Sequence, residues 1–254
     1  MAATLKLGDV ELTRIGLGTN RLTDTPENRE FLNEAVGAGV NFIDTAHLYS
    51  GGESERTIGA ALAPFGDLAV ATKGGYNEGG GVDGFRNELE ESFERLNTDR
   101  LSLYYQHRVH PDLEVEDAVG LMNEYREAGR ITHLGLSEVT VEEIERGRAI
   151  APIAAVQNEY SLVQRKWDDV VDYCEREGII FVPYFPLRGD DPPAVGEIAE
   201  GRGANASQIR LAWLLRRSPT IVPIPGTLSI EHLKENLAAL EIELTDEEFE
   251  RLSG

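Results

Sequence analysis

Residues 68–73 read Leu-Ala-Val-Ala-Thr-Lys, residues 101–107 read Leu-Ser-Leu-Tyr-Tyr-Gln-His, and residues 131–137 read Ile-Thr-His-Leu-Gly-Leu-Ser. Each segment is largely apolar until a polar side chain closes it. Hydrophobicity without regular alternation predicts strands that are buried on both faces, as in a parallel sheet covered by helices. Five further segments of this kind occupy residues 15–18, 41–44, 154–157, 179–184 and 220–224.

Helical patterns fill the gaps between these predicted strands. Phe85, Leu89 and Phe93 recur at the spacing of one helix face, and Thr140 with Glu143 predicts a capping box at the start of another helix. Eight strands that alternate with helices predict an α/β protein with the (β/α)8 fold, the TIM barrel. A doubly wound open sheet is the alternative, because βα alternation does not distinguish open from closed sheets.

The N-terminal segment and the continuity of the chain fit the same architecture. Residues 4–13 alternate in hydrophobicity and turn at Gly8, which predicts a short β-hairpin that precedes the barrel and covers its bottom. No linker or low-complexity stretch divides the chain, so we expect one barrel domain over residues 1–254.

Acidic residues dominate the charge. The chain has 254 residues, with 45 Asp and Glu against 24 Lys and Arg, and a formal net charge of -21 at pH 7. This charge disfavours nucleic acids and anionic membranes as partners. Only four of the basic residues are lysines. A surface rich in carboxylates and poor in lysine predicts adaptation to high salt, a halophilic protein, and the alternative is an acidic protein from an ordinary environment.

Other features of the composition concern the compartment. No apolar run approaches the roughly 20 residues that span a bilayer. The single cysteine, Cys174, cannot form an internal disulfide or a cysteine-based metal site, and residues 1–6 do not look like a secretory signal. We therefore expect a cytoplasmic protein without a metal centre.

Polar side chains close several of the predicted strands. Asp44, Lys73, His107, Ser137 and Gln157 stand at these positions. In a (β/α)8 barrel the C-terminal ends of the strands carry the chemistry. The first two residues lie on neighbouring strands and could pair, either as a structural salt bridge or as part of an active site.

Tyr49 favours the second interpretation, because it lies just beyond Asp44 on the loop that leaves the strand. A lysine cation such as Lys73 beside a phenol favours the phenolate, and a carboxylate holds that lysine charged. His107 could orient a bound carbonyl or share its proton. Together the four groups can protonate an oxygen that gains charge when hydride reaches its carbon.

With these residues in view, the chain resembles the aldo-keto reductase superfamily, and in particular a bacterial and archaeal branch with pyridoxal-reductase-like members. The matching motifs follow family order over nearly the whole length. They are Gly16-Leu-Gly-Thr19, Asn41-Phe-Ile-Asp-Thr-Ala-His-Leu-Tyr49, Ala71-Thr-Lys73, Tyr104-Tyr-Gln-His107, Gly135-Leu-Ser137, Val156-Gln157, and Val222-Pro-Ile-Pro-Gly-Thr227 with Glu235-Asn236.

The resemblance implies a barrel that works as a monomer and binds a nicotinamide cofactor without a Rossmann domain. It implies reduction of an aldehyde or ketone to an alcohol by hydride transfer, with a small carbonyl compound as substrate. By resemblance, Tyr49 is the general acid and Lys73 is the cation that makes the phenol a better acid. Asp44 is the counter-ion of the lysine, and His107 orients the substrate.

The resemblance also implies a cofactor site. Its residues toward the nicotinamide and pyrophosphate are Gly18, Thr19, Asp44, Ser137, Gln157, Tyr184, Phe185, Pro186, Leu187 and Arg188. Its residues toward the adenosine 2′-phosphate and adenine are Gly226, Thr227, Leu228, Ser229, His232, Glu235 and Asn236. A helix predicted to begin near Ile230 would present backbone N–H groups to phosphate.

Three positions depart from the family pattern. Glu138 stands where the family commonly has Asn, and a carboxylate cannot donate to the amide oxygen of nicotinamide. Gly226 and His232 stand where many NADPH-dependent relatives have Lys and Arg. The branch that the chain resembles generally uses NADPH, so we expect NADPH, with NADH as the alternative.

Two other functions fit the same sequence. One is a cofactor-sensing binding module with little turnover, since potassium-channel β-subunits resemble these enzymes and share the four groups. The other is an unrelated barrel enzyme that binds a phosphorylated substrate at the strand 8 site.

Overall fold

A computed structural model describes residues 3–254 of the chain. The described chain begins with an antiparallel hairpin of β1 (Thr4–Leu7) and β2 (Val10–Thr13). Seven parallel strands follow and pair in sequence order. They are β3 (Leu17–Gly18), β4 (Phe42–Asp44), β5 (Ala69–Gly74), β6 (Leu101–Gln106), β7 (Ile131–Ser137), β8 (Ile153–Gln157) and β9 (Ile180–Phe181).

Residues 221–226, which extend two residues beyond the strand predicted over 220–224, close the sheet, although they pair through isolated bridges. Ile221 bridges to Phe181 in β9, and Gly226 bridges to Gly18 in β3. Pro223 and Pro225 have no N–H to donate, which limits this segment to an interrupted ladder. Because the segment contacts both edge strands, the sheet is a closed barrel and the open-sheet alternative is wrong.

Ten α-helices lie within residues 3–254. They are α1 (Pro26–Gly37), α2 (Glu53–Leu62), α3 (Gly81–Leu96), α4 (Val115–Glu127), α5 (Val141–Arg148), α6 (Asp168–Glu177), α7 (Pro193–Arg202), α8 (Ala206–Arg217), α9 (Ile230–Ala238) and α10 (Asp246–Ser253). Short 3-10 helices cover Tyr49–Gly52 and Ala239–Glu241. The predicted capping box of Thr140 and Glu143 opens α5.

Two apolar clusters form the core. The larger cluster lies between the sheet and the helices and contains the predicted stripe of Phe85, Leu89 and Phe93. The smaller cluster fills the barrel interior, and Leu7 and Leu12 of the hairpin belong to it. The hairpin is therefore part of the barrel core, which confirms its predicted position.

Two negative findings concern the described residues 3–254. None of their helices is both long enough and apolar enough to cross a bilayer. Their His, Cys, Asp and Glu side chains form no group of three or more that could hold a metal ion.

Gly59 of α2 packs against the backbone of Arg95 and Leu96 in α3, and this predicts a stability effect. A Cβ atom at this position would lie 2.5 Å from the carbonyl oxygen of Arg95. Gly59→Ala should lower the free energy of unfolding by about 1–3 kcal/mol, because backbone atoms cannot move aside as a flexible side chain can. Urea unfolding measures this change.

Gly120 in α4 is the matched control, because a Cβ atom there meets nothing within 4 Å. Gly120→Ala should raise stability by about 0.5–1 kcal/mol, the usual gain from replacing a helical glycine. Equal shifts in the same direction for both variants would contradict the packing described here.

Candidate active site

Lys73 and Asp44 form the predicted ion pair at the C-terminal ends of β4 and β5. The Lys73 side chain is 0% exposed, and its Nζ atom donates to Asp44 Oδ1 at 2.6 Å. Nζ also donates to the backbone oxygen of Thr45 at 2.6 Å and to the Tyr49 hydroxyl at 3.4 Å. An ammonium group has three N–H donors, so each donor of Lys73 has one partner.

The surroundings of this pair favour a charged lysine. Burial opposes the ammonium form of Lys73, but the Asp44 carboxylate and the Tyr49 oxygen outweigh this and raise the lysine pKa. Burial also raises the pKa of Asp44, against the opposing effects of Lys73 and of Gln157. The amide of Gln157 donates to Asp44 Oδ2 at 2.8 Å, so both carboxylate oxygens are bonded. At neutral pH the pair is therefore an ammonium that faces a carboxylate.

The loop that carries Tyr49 is fixed to the barrel on two sides. The backbone N–H of His47 donates to the backbone oxygen of Lys73 at 2.9 Å. From α3, Arg95 Nη1 donates to the backbone oxygen of His47 at 3.0 Å. Gly52, with φ 87, lets the chain pass this guanidinium, since a Cβ atom there would lie 2.6 Å from Arg95 Nη1. These contacts restrain the phenol above Lys73.

His107 completes the predicted group of four. Its backbone N–H bonds to the oxygen of Gly74 in β5 at 2.7 Å, and its ring meets the ring of Tyr49 edge-on with centroids 6.1 Å apart. The Nδ1 atom is buried and has no hydrogen-bond partner within residues 3–254. Burial, followed by the cations Lys73 and Arg108, holds the pKa of His107 well below its usual 6.5. The imidazole is therefore neutral at pH 7.

A cavity of about 270 Å³ opens above these residues. Tyr49 and His107 line it, together with nine residues that the resemblance implies for the cofactor. These nine are Gly18, Thr19, Asp44, Ser137, Gln157, Tyr184, Phe185, Pro186 and Gly226. The cavity thus brings the predicted proton donor and the predicted nicotinamide site into one volume.

A groove of about 520 Å³ lies at the N-terminus of α9. Eight of the predicted contacts line it, and one of them, Gly226, also lines the cavity. They are Leu187, Gly226, Thr227, Leu228, Ser229, His232, Glu235 and Asn236. The Ser229 hydroxyl accepts from the backbone N–H of His232 and caps the helix. A cavity and a groove that share a wall fit the two halves of a dinucleotide, with phosphate near the helix N-terminus.

Three residues named in the sequence analysis line neither the cavity nor the groove. Lys73 lies beneath the cavity, behind Asp44 and Tyr49. Arg188 pairs with Glu159 at 3.0 Å and stacks on Phe185. The backbone N–H of Glu159 donates to Glu138 at 2.6 Å, so that carboxylate is used within the protein and is not part of the cavity wall.

Sequence reasoning missed several lining residues. In the cavity they are Asn20, Leu48, Tyr76, Arg108 and Ile224, and in the groove they are Arg21 and Ser207. Arg108 directly follows His107, so its position at a strand end could have been recognised. Tyr76 lies in a glycine-rich loop, where the sequence does not indicate in which direction a side chain points.

The sequence profile of the Aldo/keto reductase family matches residues 14–254, and the chain belongs to this family. Pyridoxine 4-dehydrogenase of Escherichia coli is 33% identical, and the alignment covers 99% of this chain and 97% of that protein. The thermostable aldo-keto reductase Tm1743, solved with the inhibitor epalrestat, superimposes with a TM-score of 0.91 at 32% identity, covering 99% of both chains. An aldo/keto reductase of Klebsiella pneumoniae, solved with NADP and acetate, gives a TM-score of 0.88 at 27% identity, covering 99% of this chain and 94% of the other.

The depressed pKa of His107 predicts its behaviour on titration. The unfolded chain binds a proton at a histidine near pH 6.5, whereas the folded chain does so only at lower pH. The contribution of this residue to stability is therefore complete above pH 6.5 and is lost as the pH falls. In NMR spectra of histidine-labelled protein, the His107 signal should not titrate between pH 7.5 and 6.5. His107→Gln assigns the signal, and a midpoint at 6.5 or higher would contradict the burial described here.

Proposed function

We propose that the protein is an NADPH-dependent reductase that converts aldehyde or ketone carbonyls to alcohols. The observation that carries this proposal is the hydrogen bond of 3.4 Å from the buried Lys73 ammonium to the Tyr49 hydroxyl at the cavity wall. If the ion pair of Lys73 and Asp44 served only to stabilise the fold, Lys73 would not need a hydrogen bond to a half-buried phenol. A proton donor beside a neutral histidine in a small cavity is suited to carbonyl reduction.

The residues of this chain then have distinct tasks. When bound, the nicotinamide cofactor supplies the hydride that the carbonyl carbon receives. Tyr49 gives its proton to the carbonyl oxygen as that oxygen gains charge. Lys73 stabilises the phenolate that remains, and Asp44 holds Lys73 in its charged form. The neutral His107 has one N–H, and it orients the carbonyl when that N–H faces the cavity.

The proposed preference for NADPH is supported by the groove at α9. Thr227, Ser229 and His232 would face the 2′-phosphate, and the helix N-terminus favours an anion. Arg21 also lines this groove and donates to the backbone oxygen of Gly226 at 3.2 Å. It supplies a cation near Gly226, where this chain lacks the lysine that many NADPH-dependent relatives have. The NADP bound to the Klebsiella pneumoniae relative agrees with this assignment.

A compact carbonyl compound is the proposed substrate. The cavity has aromatic walls that include Tyr49, Tyr76, Tyr184 and Phe185, and flat rings pack well against such walls. A pyridine ring that bears an aldehyde is one such compound, and the relationship to a pyridoxine 4-dehydrogenase supports it. We further propose that the protein acts as a monomer in the cytoplasm and that its charge of -21 suits high salt.

Removal of the phenol tests the proposed acid. Tyr49→Phe should lower kcat/KM for test aldehydes by about 100- to 10,000-fold, the usual contribution of a general acid. The Kd of NADPH, from nucleotide fluorescence, should change little. Tyr173→Phe in α6 is the matched control, because that hydroxyl accepts from Arg148 in α5, and Tyr173 lines neither the cavity nor the groove. Wild-type turnover by Tyr49→Phe would contradict the assigned role.

A cation placed in the groove tests the phosphate site. His232→Arg should lower the Kd of NADPH by about two- to fivefold and leave that of NADH unchanged, because an exposed charge pair contributes modestly. Glu127→Gln, at the end of α4, changes the net charge by the same amount outside the groove. Equal effects on NADPH and NADH, or the same effect in Glu127→Gln, would contradict the placement of the 2′-phosphate.

A further inference from the structure

Arg108 has surroundings that differ from those of most arginines in this protein. It follows β6 directly, is half-buried and lines the cavity beside His107. Its Nη1 atom donates to the backbone oxygen of His107 at 2.6 Å and to Ser137 Oγ at 3.3 Å. Its Nη2 atom lies 3.5 Å from the Tyr184 hydroxyl. All three acceptors are uncharged.

In the part of the chain that the structure describes, no carboxylate compensates this guanidinium. Within residues 3–254, no Asp or Glu oxygen lies within 4.0 Å of Arg108. Elsewhere the acidic chain pairs its arginines readily, as in Arg130 with Glu90 at 2.7 Å and Arg146 with Glu116 at 2.6 Å. Arginine has five N–H donors, and the contacts of Arg108 use three of them. Donors and charge are left for a ligand.

Two aromatic rings hold the guanidinium in place. Its central carbon lies 5.3 Å from the ring centroid of Tyr76 and 5.9 Å from that of Tyr184. The Tyr76 ring also meets the His107 ring, with centroids 4.9 Å apart. Tyr76 is 44% exposed and stands at the cavity mouth. The cation is therefore fixed between the mouth and the histidine that would orient a carbonyl.

We infer that Arg108 is a specificity-determining residue that receives a negatively charged group, carboxylate or phosphate, carried by the carbonyl substrate. The part of this inference that concerns the carbonyl group rests on the proposed function. A planar guanidinium in a fixed orientation matches the geometry of both anions, and such hydrogen bonds are stronger than those between neutral groups. A substrate with its carbonyl at Tyr49 and His107 would extend toward Tyr76 and meet Arg108.

The chemical alternative is a cofactor contact. Ser137, which Arg108 touches, belongs to the expected nicotinamide site, so the guanidinium could instead bond the carboxamide oxygen. In that case Arg108 would affect the Kd of NADPH and would affect all substrates equally. In the inferred case it discriminates between charged and neutral substrates at an unchanged Kd of NADPH.

Matched substrate pairs separate these cases. We would compare 4-carboxybenzaldehyde with its methyl ester, and glyceraldehyde 3-phosphate with glyceraldehyde, using wild type and Arg108→Gln. The variant should lose about 10- to 100-fold in kcat/KM for the charged member of at least one pair, the range for hydrogen bonds to charged groups. The neutral members should change by less than about threefold. The pair that responds identifies carboxylate or phosphate as the preferred anion.

Two further variants serve as controls. Arg108→Lys keeps the positive charge but loses the planar pair of N–H donors. Its loss of kcat/KM for the charged substrate should therefore be intermediate. Arg100→Gln removes an arginine before β6, outside the cavity, and should leave both pairs as in wild type. Equal losses for charged and neutral members in Arg108→Gln, or a weaker binding of NADPH, would overturn the inference.

Binding without turnover separates this inference from the proposed function. Calorimetric titration of benzoate into protein saturated with NADP should show binding to wild type and at least tenfold weaker binding to Arg108→Gln. Benzamide should bind both proteins alike. If this pattern holds but no aldehyde is reduced, the anion site stands and the proposed reaction fails. If aldehydes are reduced, but benzoate binds both proteins equally and neither charged substrate selectively loses kcat/KM in Arg108→Gln, the anion site fails and the proposed reaction stands.

Discussion

The ion pair between Lys73 and Asp44 is the constraint on which the site depends. Taking two charges out of water costs several kcal/mol per ion, and their attraction offsets this only when every remaining donor and acceptor is bonded. Here the third donor of Lys73 reaches Tyr49, and Gln157 bonds the second oxygen of Asp44. A buried pair is weak evidence for stability. Its value lies in fixing a charge beneath one phenol.

The barrel makes this arrangement feasible. Parallel strands end at the same face, so Asp44 on β4, Lys73 on β5 and His107 after β6 converge although they are far apart in sequence. The same principle brings Ser137 and Gln157, paired in register on β7 and β8, to the next part of the wall. The hairpin packs into the opposite end of the barrel, so the proposed chemistry is restricted to the end that carries the cavity.

The sequence predicted the parts that depend on periodicity and strand order. Near-continuous apolar strands indicated the barrel, and the residues that close them indicated the pair at Asp44 and Lys73. The directions of side chains outside strands were not predictable. Glu138 has φ 57, and its carboxylate accepts from the backbone N–H of Glu159. Tyr76 reaches the cavity from a loop. Both orientations depend on tertiary contacts.

Single-turnover kinetics test the central claim most directly. In the double variant Asp44→Asn with Lys73→Met the buried charges are removed together, so no unpaired ion remains to unfold the barrel. With NADPH already bound, stopped-flow absorbance measures oxidation of the nucleotide by a test aldehyde. We predict a folded protein whose rate of hydride transfer falls by at least about 100-fold, the lower range for general acid catalysis. A rate within a few-fold of wild type would contradict a catalytic role for the ion pair.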